Sequence, residues 1–247
     1  MDGMSSSPQG GEPKSFLQRF VGVFTGPGET FEDIARKPDF IKPLLLLIAV
    51  SLAITETMLS KIGMHRIIYG AIMQSGRASS LSPEQIHQAV EKGAAVAGVL
   101  AHLGGLFGVP IFLLAAAGVG MVILTGVFGV HADFKKIFSV ACYADLPSVV
   151  SGAMAVAVMF FGDPDHFNPR SPAPTNLGFF LNPLDTSHPV MALASSFDIF
   201  IFWFLILLAL GLSRVSEGVV KTRSIFFIYL GLWIMLVAVK VVLAAFT

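Results

Sequence analysis

The chain reads as an all-α, polytopic transmembrane helix bundle of about five spans with short N-terminal interfacial helices. Three observations predict this. Hydrophobic residues make up 54% of 247 positions and charged residues only 13%, and the mean hydropathy of +0.76 lies far above that of a soluble domain. The apolar residues gather into five runs near 42–61, 100–128, 137–161, 196–213 and 223–245, long enough to cross about 30 Å of hydrocarbon, which takes roughly 20 helical residues. Within lipid each run must satisfy its own backbone groups, which makes each of them helical.

Taken in order, residues 1–14 are rich in Ser, Gly and Pro and are expected to be disordered. Residues 15–41 form the cytoplasmic interfacial helices. Phe16, Leu17, Phe20 and Phe24 recur at helical spacing beside Lys14 and Arg19, which suits either a membrane surface or packing on the underside of the bundle. Gly26-Pro27-Gly28 breaks the chain, and a second short helix over Thr30 to Lys37 precedes Pro38. The membrane domain occupies 42–247. In its second run, Gly93 to Val130 is uncharged, and Ser82-Pro83-Glu84 marks the start of an amphipathic helix that enters the span, with Pro110 as a kink; two short re-entrant helices are the alternative. Small residues in the second and third runs, Gly104, Gly105, Gly108, Gly118 and Gly120, then Ser148, Ser151, Gly152 and Ala155, allow close helix approach and place those runs at the bundle centre. The Pro-rich stretch 162–195 is expected to form an irregular external cap. Its scattered His and Asp residues fit no metal-ligand spacing.

Composition narrows function. The 16 basic residues balance the 16 acidic ones and form no basic patch, so nucleic acid is not the partner. The single cysteine, Cys142, rules out an internal disulfide and reads as a packing residue. The first 40 residues lack the apolar core and cleavage site of a signal peptide. No catalytic, phosphate-loop or dinucleotide motif is found, so no enzyme activity and no cofactor is expected. Counting Lys and Arg in alternating loops gives ten on the N-terminal side and six on the other, which predicts a cytoplasmic N-terminus and an external C-terminus.

Polar residues inside the runs are the candidate site. A carboxylate in a span costs roughly 2.5–3.5 kcal/mol on insertion scales, so such residues mark packing partners or function. Tyr143, Asp145 and Pro147 stand together in the third run, with Asp145 turned away from the face shared by Tyr143 and Pro147 and aligned with Ser148 and Gly152. Pro147 withholds the amide that would bond the Tyr143 carbonyl, leaving an acceptor for a neighbouring helix, a water or a ligand. Glu56, Asp198 and Lys240 fall at similar depth in the outer half. Lys240 is expected either to pair with Asp198 or Glu56, or to reach the external interface.

Three segments, Phe24-Thr25-Gly26-Pro27-Gly28-Glu29-Thr30-Phe31, Tyr143-Ala144-Asp145-Leu146-Pro147 and Phe197 to Trp203 followed by Leu210-Gly211-Leu212, occur in an order that resembles the Yip-one (Ypt-interacting protein) domain family of five-span membrane proteins. The match covers roughly residues 16–245. Eukaryotic relatives bind Rab-type GTPases and carry Asp-Leu-Tyr-Gly-Pro where this chain has Tyr-Ala-Asp-Leu-Pro, which looks like the bacterial branch. The resemblance implies a bacterial inner-membrane protein acting as a scaffold or accessory subunit of transport or trafficking machinery. Its expected surroundings are the lipid bilayer and a membrane-protein partner, such as an ABC-type exporter, or further copies of itself. A small transporter or lipid-handling protein is the alternative and predicts a cavity reaching Asp145 or the Asp198 level. An intramembrane enzyme requires titratable groups converging in one cavity.

Overall fold

The computed structural model describes residues 13–74, 80–163, 167–183 and 185–246. Most of the segment expected to be disordered lies outside these residues, as do Arg77 and the cap residues Pro164, Asp165 and His166.

The chain is all-α. Two short helices come first, α1 (Phe16–Thr25) and α2 (Pro27–Arg36). Ser15 and Gln18 cap α1 reciprocally, and Pro27 supplies the preset φ of the first turn of α2. The pair lies against the bundle: α2 packs on the helices Phe134–Ala144 and Ile199–Val215, and α1 on the first of these.

The first span is α3 (Ile41–Thr57), which continues as one wider turn over Met58–Ile62 and ends at Gly63, whose φ of +83° suits glycine. α4 (Met64–Gln74) then lies along the start of α5 (Pro83–Met121). Ser82 and Gln85 form a second capping box, and the helix runs unbroken through Pro110 and on as a wider turn to Val127. One continuous helix therefore replaces the re-entrant alternative. At 1.5 Å per residue, its 45 residues extend to about 67 Å, twice the hydrocarbon thickness. Its N-terminal part is braced by α4 through His65 and Glu91, 3.4 Å apart.

The third run is divided into α6 (Phe134–Ala144) and α7 (Ser148–Phe161). Among its described residues the cap contains a 3₁₀ turn, Leu177–Phe180, and the short helix α8 (His188–Ala194). α9 (Ile199–Val215) and α10 (Thr222–Ala244) complete the domain. α3, α5, the α6–α7 pair and α10 are long and apolar enough to cross a membrane; α9, at 17 residues, is shorter.

The core sits around α6 and α9. Every residue from Ile137 to Ala144 is buried, because α6 is wrapped by α1, α2, α3, α5 and α9. The second run is not at the centre as expected. Gly105 does meet Thr55, and Gly120 meets Tyr229, Leu212 and Ile137, but Gly104, Gly108 and Gly118 have open space beside them. A tight helix crossing lies at Gly211 of α9, where an added Cβ would collide with Val140 and Phe31. Gly211→Ala is accordingly expected to lower stability by about 1–3 kcal/mol, the usual range for overpacking, as read from thermal unfolding in detergent.

Candidate functional site: a cavity within the bundle

The third run breaks at Asp145-Leu146-Pro147 because Pro147 has no amide to donate. The turn takes up the slack locally. The Leu146 amide donates to the Tyr143 carbonyl at 3.3 Å, Ser148 to Asp145 at 2.9 Å, and Val149 to Leu146 at 3.1 Å. The Tyr143 carbonyl expected to await a partner is thus satisfied within the turn. What the break does is redirect side chains, so that Tyr143 faces the α1–α2 pair and Asp145 faces a cavity.

Tyr143 is fully buried, its ring 6.3 Å from that of Phe16 and under the Arg19 guanidinium at 5.8 Å. Arg19 does not reach for lipid headgroups. It is buried, with Nε donating to Asp33 Oδ2 at 2.8 Å and a terminal nitrogen donating to the Lys37 carbonyl at 2.9 Å. Phe24 adds an edge contact to Trp203 of α9 at 5.6 Å. The aromatic stripe of α1 therefore packs on the bundle. Among the described residues the Tyr143 hydroxyl finds no hydrogen-bond partner, so Tyr143→Phe removes an unsatisfied buried group. Its expected effect is unchanged stability or a gain of about 1 kcal/mol, whereas Tyr143→Ala should lose about 3–5 kcal/mol. Paired thermal melts read both.

The cavity has a volume of about 630 Å³ and lies between α3, α5, α7, α9, α10 and the cap. Leu47, Ile54, Val109, Phe112, Phe204 and Leu232 are typical of its apolar wall. One strip of that wall is polar. Asp145, Ser148 and Ser151 follow each other at three-residue spacing, which puts them on one side of the α7 start. The Ser148 side chain lies beside the Asp145 carboxyl, and that carboxyl has no ion pair among the described residues. Ser151 Oγ is 3.2 Å from Thr175 Oγ1, which donates to Asp198 Oδ2 at 3.0 Å. The strip thus runs from the break to the cap, where Arg170 and Asp198 line the mouth. The volume falls in the ordinary range of ligand pockets, about 300–1,000 Å³.

The lining of the cavity reaches the surface of the bundle on α5 and α10. α5 and α10 meet where Tyr229 donates to the Ala116 carbonyl at 2.7 Å, and they pack little beyond that point. Phe112 and Leu236, exposed on these two helices, form the rim of the cavity.

Glu56, Asp198 and Lys240 do not assemble. Lys240 donates to Ser195 Oγ and Ser196 Oγ, both at 3.1 Å, and neither acid is among its partners. Asp198 caps α9, with Oδ1 accepting from the Phe200 amide at 2.8 Å, so its carboxylate is held by a helix end and a hydroxyl. Glu56 meets His102 of α5, with Oε1 2.8 Å from Nε2, on the exposed flank of the bundle. His102 Nδ1 lies 2.8 Å from the Gly98 carbonyl, so either the ring is an imidazolium or the Glu56 carboxyl is the donor. His102 was passed over in the sequence, although a lone histidine in an uncharged run at the depth of Glu56 was a readable signal. Arg170 and Thr175 were missed too, because nothing local ties a loop to a helix interior. Among the described residues, no three metal-ligating side chains come together.

The fold and this site define a multi-pass helical membrane protein with a cavity inside its bundle. The chain belongs to the Yip1 domain family, whose model matches residues 21–243, from within α1 to the end of α10. It is similar to the membrane protein YknW of Bacillus subtilis (strain 168), 25% identical over 198 residues, which cover 79% of this chain and 77% of that relative. This agrees with the bacterial branch to which the Tyr143–Pro147 segment points. No solved structure matches the chain.

Proposed function

We propose that this protein is a non-enzymatic bacterial inner-membrane protein that shelters an apolar chain, the acyl chain of a lipid, within its helix bundle. The observation that carries this reading is the cavity of about 630 Å³, apolar on most of its wall and reaching exposed residues of α5 and α10, two helices that pack little on each other. A lipid enters between them without leaving the hydrocarbon layer. In this reading α1 and α2 lie on the cytoplasmic side and the cap outside, as the excess of basic residues on the N-terminal side favours.

The test is native mass spectrometry of the full chain extracted in a mild detergent. The wild-type protein is expected to retain a lipid mass, and Ala116→Phe, which puts a ring into the cavity, to lose it while melting at a similar temperature. A bare wild-type protein, or equal retention by the blocked variant, would overturn the reading.

A second reading, an accessory subunit docking on other membrane machinery such as an exporter, is favoured by α1. Its Leu17 and Val21 are 69% and 49% exposed on a helix otherwise fixed to the bundle. Crosslinking from position 17 in native membranes should then capture one partner in stoichiometric yield, and only self-crosslinks or none would reject it.

A further inference from the structure

Two cations stand at the cap end of the cavity, and neither makes an ion pair among the described residues. Arg170 lines the mouth, is exposed, and its guanidinium makes no ion pair among the described residues. Lys240 lies one turn beyond Leu236, a rim residue of the cavity, and therefore toward the cap. Ser195, which accepts from Lys240, also accepts through its carbonyl from Asn176 of the cavity wall, so the ammonium stands beside the cavity that Arg170 lines. Two cations beside one cavity with a single acid between them favour an anion there.

The surroundings leave room for that anion. Ser195 and Ser196 accept two of the three ammonium hydrogens of Lys240, which leaves one donor free. All five guanidinium hydrogens of Arg170 remain unassigned, and its planar fork suits the oxygens of a phosphate. Asp198 is the acid at the same mouth, where its oxygens accept from the Phe200 amide and the Thr175 hydroxyl. Two positive charges against one negative leave a single positive charge at the mouth, which matches the single negative charge of a phosphodiester.

Resting on the cavity reading above, we propose that Arg170 and Lys240 form a phosphate subsite, and that the occupant is a phosphate-headed lipid whose chain lies along the apolar wall. Its headgroup sits at the cap side, and its chain points toward the level of Tyr229.

Trp233 lines the cavity and reports on it. The only other tryptophan, Trp203, packs on Phe24 and Phe200 and is replaced conservatively by Trp203→Phe. The full chain carrying that change, in uncharged maltoside micelles, is titrated with brominated-chain phosphatidylglycerol or with brominated-chain diacylglycerol, which has the same chains and no phosphate. Half-maximal quenching of Trp233 is expected at about tenfold lower concentration for the phospholipid, the ratio given by about 1.4 kcal/mol. Arg170→Gln with Lys240→Gln should abolish that difference, and Arg170→Gln alone should reduce it several-fold. The single exposed change keeps the test available if the double variant fails to fold.

Equal quenching by the two lipids overturns the phosphate subsite and leaves the cavity reading standing. Absence of saturable quenching by either overturns both. Inorganic phosphate at the same concentration is expected not to displace the phospholipid, and displacement by it would assign the subsite to free phosphate and overturn the lipid.

Discussion

Replacing Arg19 by alanine is expected to lower stability by about 3–5 kcal/mol, because it breaks a buried ion pair. The Arg19 and Asp33 side chains are only 4% and 11% exposed and meet at 2.8 Å. Arg19 also ties the end of α2 to α1 through the Lys37 carbonyl and covers the Tyr143 ring. Removing it leaves the Asp33 carboxylate buried with the Lys14 amide as its remaining hydrogen-bond donor. The diagnostic comparison is Arg19→Leu with Asp33→Leu. A buried pair replaced as a unit by apolar groups is often neutral, so the double variant should return to within about 1 kcal/mol of wild type. Thermal unfolding in detergent reads all three proteins. A small loss on Arg19→Ala would mean that the α1–α2 pair floats on the bundle.

Asp145→Leu is expected to act in the opposite direction. Its carboxyl faces an apolar cavity beside Ser148 and has no cation opposite it among the described residues. Insertion scales put such a group at roughly 2.5–3.5 kcal/mol, so leucine should raise stability by about 2 kcal/mol after allowing for the partial polarity of the site. A stabilising change at a costly residue is the usual sign that the residue is kept for function. In the lipid-sheltering reading, the polar strip of Asp145, Ser148 and Ser151 stops a chain from settling permanently. Asp145→Leu should therefore retain lipid at least as well as wild type and exchange it more slowly, as followed by native mass spectrometry after addition of a labelled lipid. A destabilised variant would make Asp145 a structural anchor instead.

Much of the fold was legible in the sequence because lipid allows few solutions. Spans such as 42–61 and 223–245 fall within a residue or two of α3 with its terminal turn and α10, since length and apolarity alone determine them. Ser82-Pro83-Glu84 announced the start of α5 because capping is a local interaction. Tyr143-Ala144-Asp145-Leu146-Pro147 announced a disruption for the same kind of reason. Where the partners are far apart in sequence, the reading failed. Lys240 met two serines from the α8–α9 junction and not an acid, since equal depth says nothing about which helices are neighbours. Arg19 looked like an interfacial cation, and only the return of α2 brings Asp33 to it. The cavity was expected at most as a consequence of one hypothesis, for it depends on how α5 and α10 diverge above Tyr229, which no residue pattern records.

The central claim is that a lipid chain occupies the space between α3, α5, α7, α9 and α10. The most direct measurement is a high-resolution density map of the full chain in a lipid nanodisc. The account predicts a continuous tube of density passing Phe112, Ser148 and Trp233, with its headgroup end near Arg170. Closure of α10 onto α5, with side chains of the two helices filling the space and no lipid density inside, would contradict it.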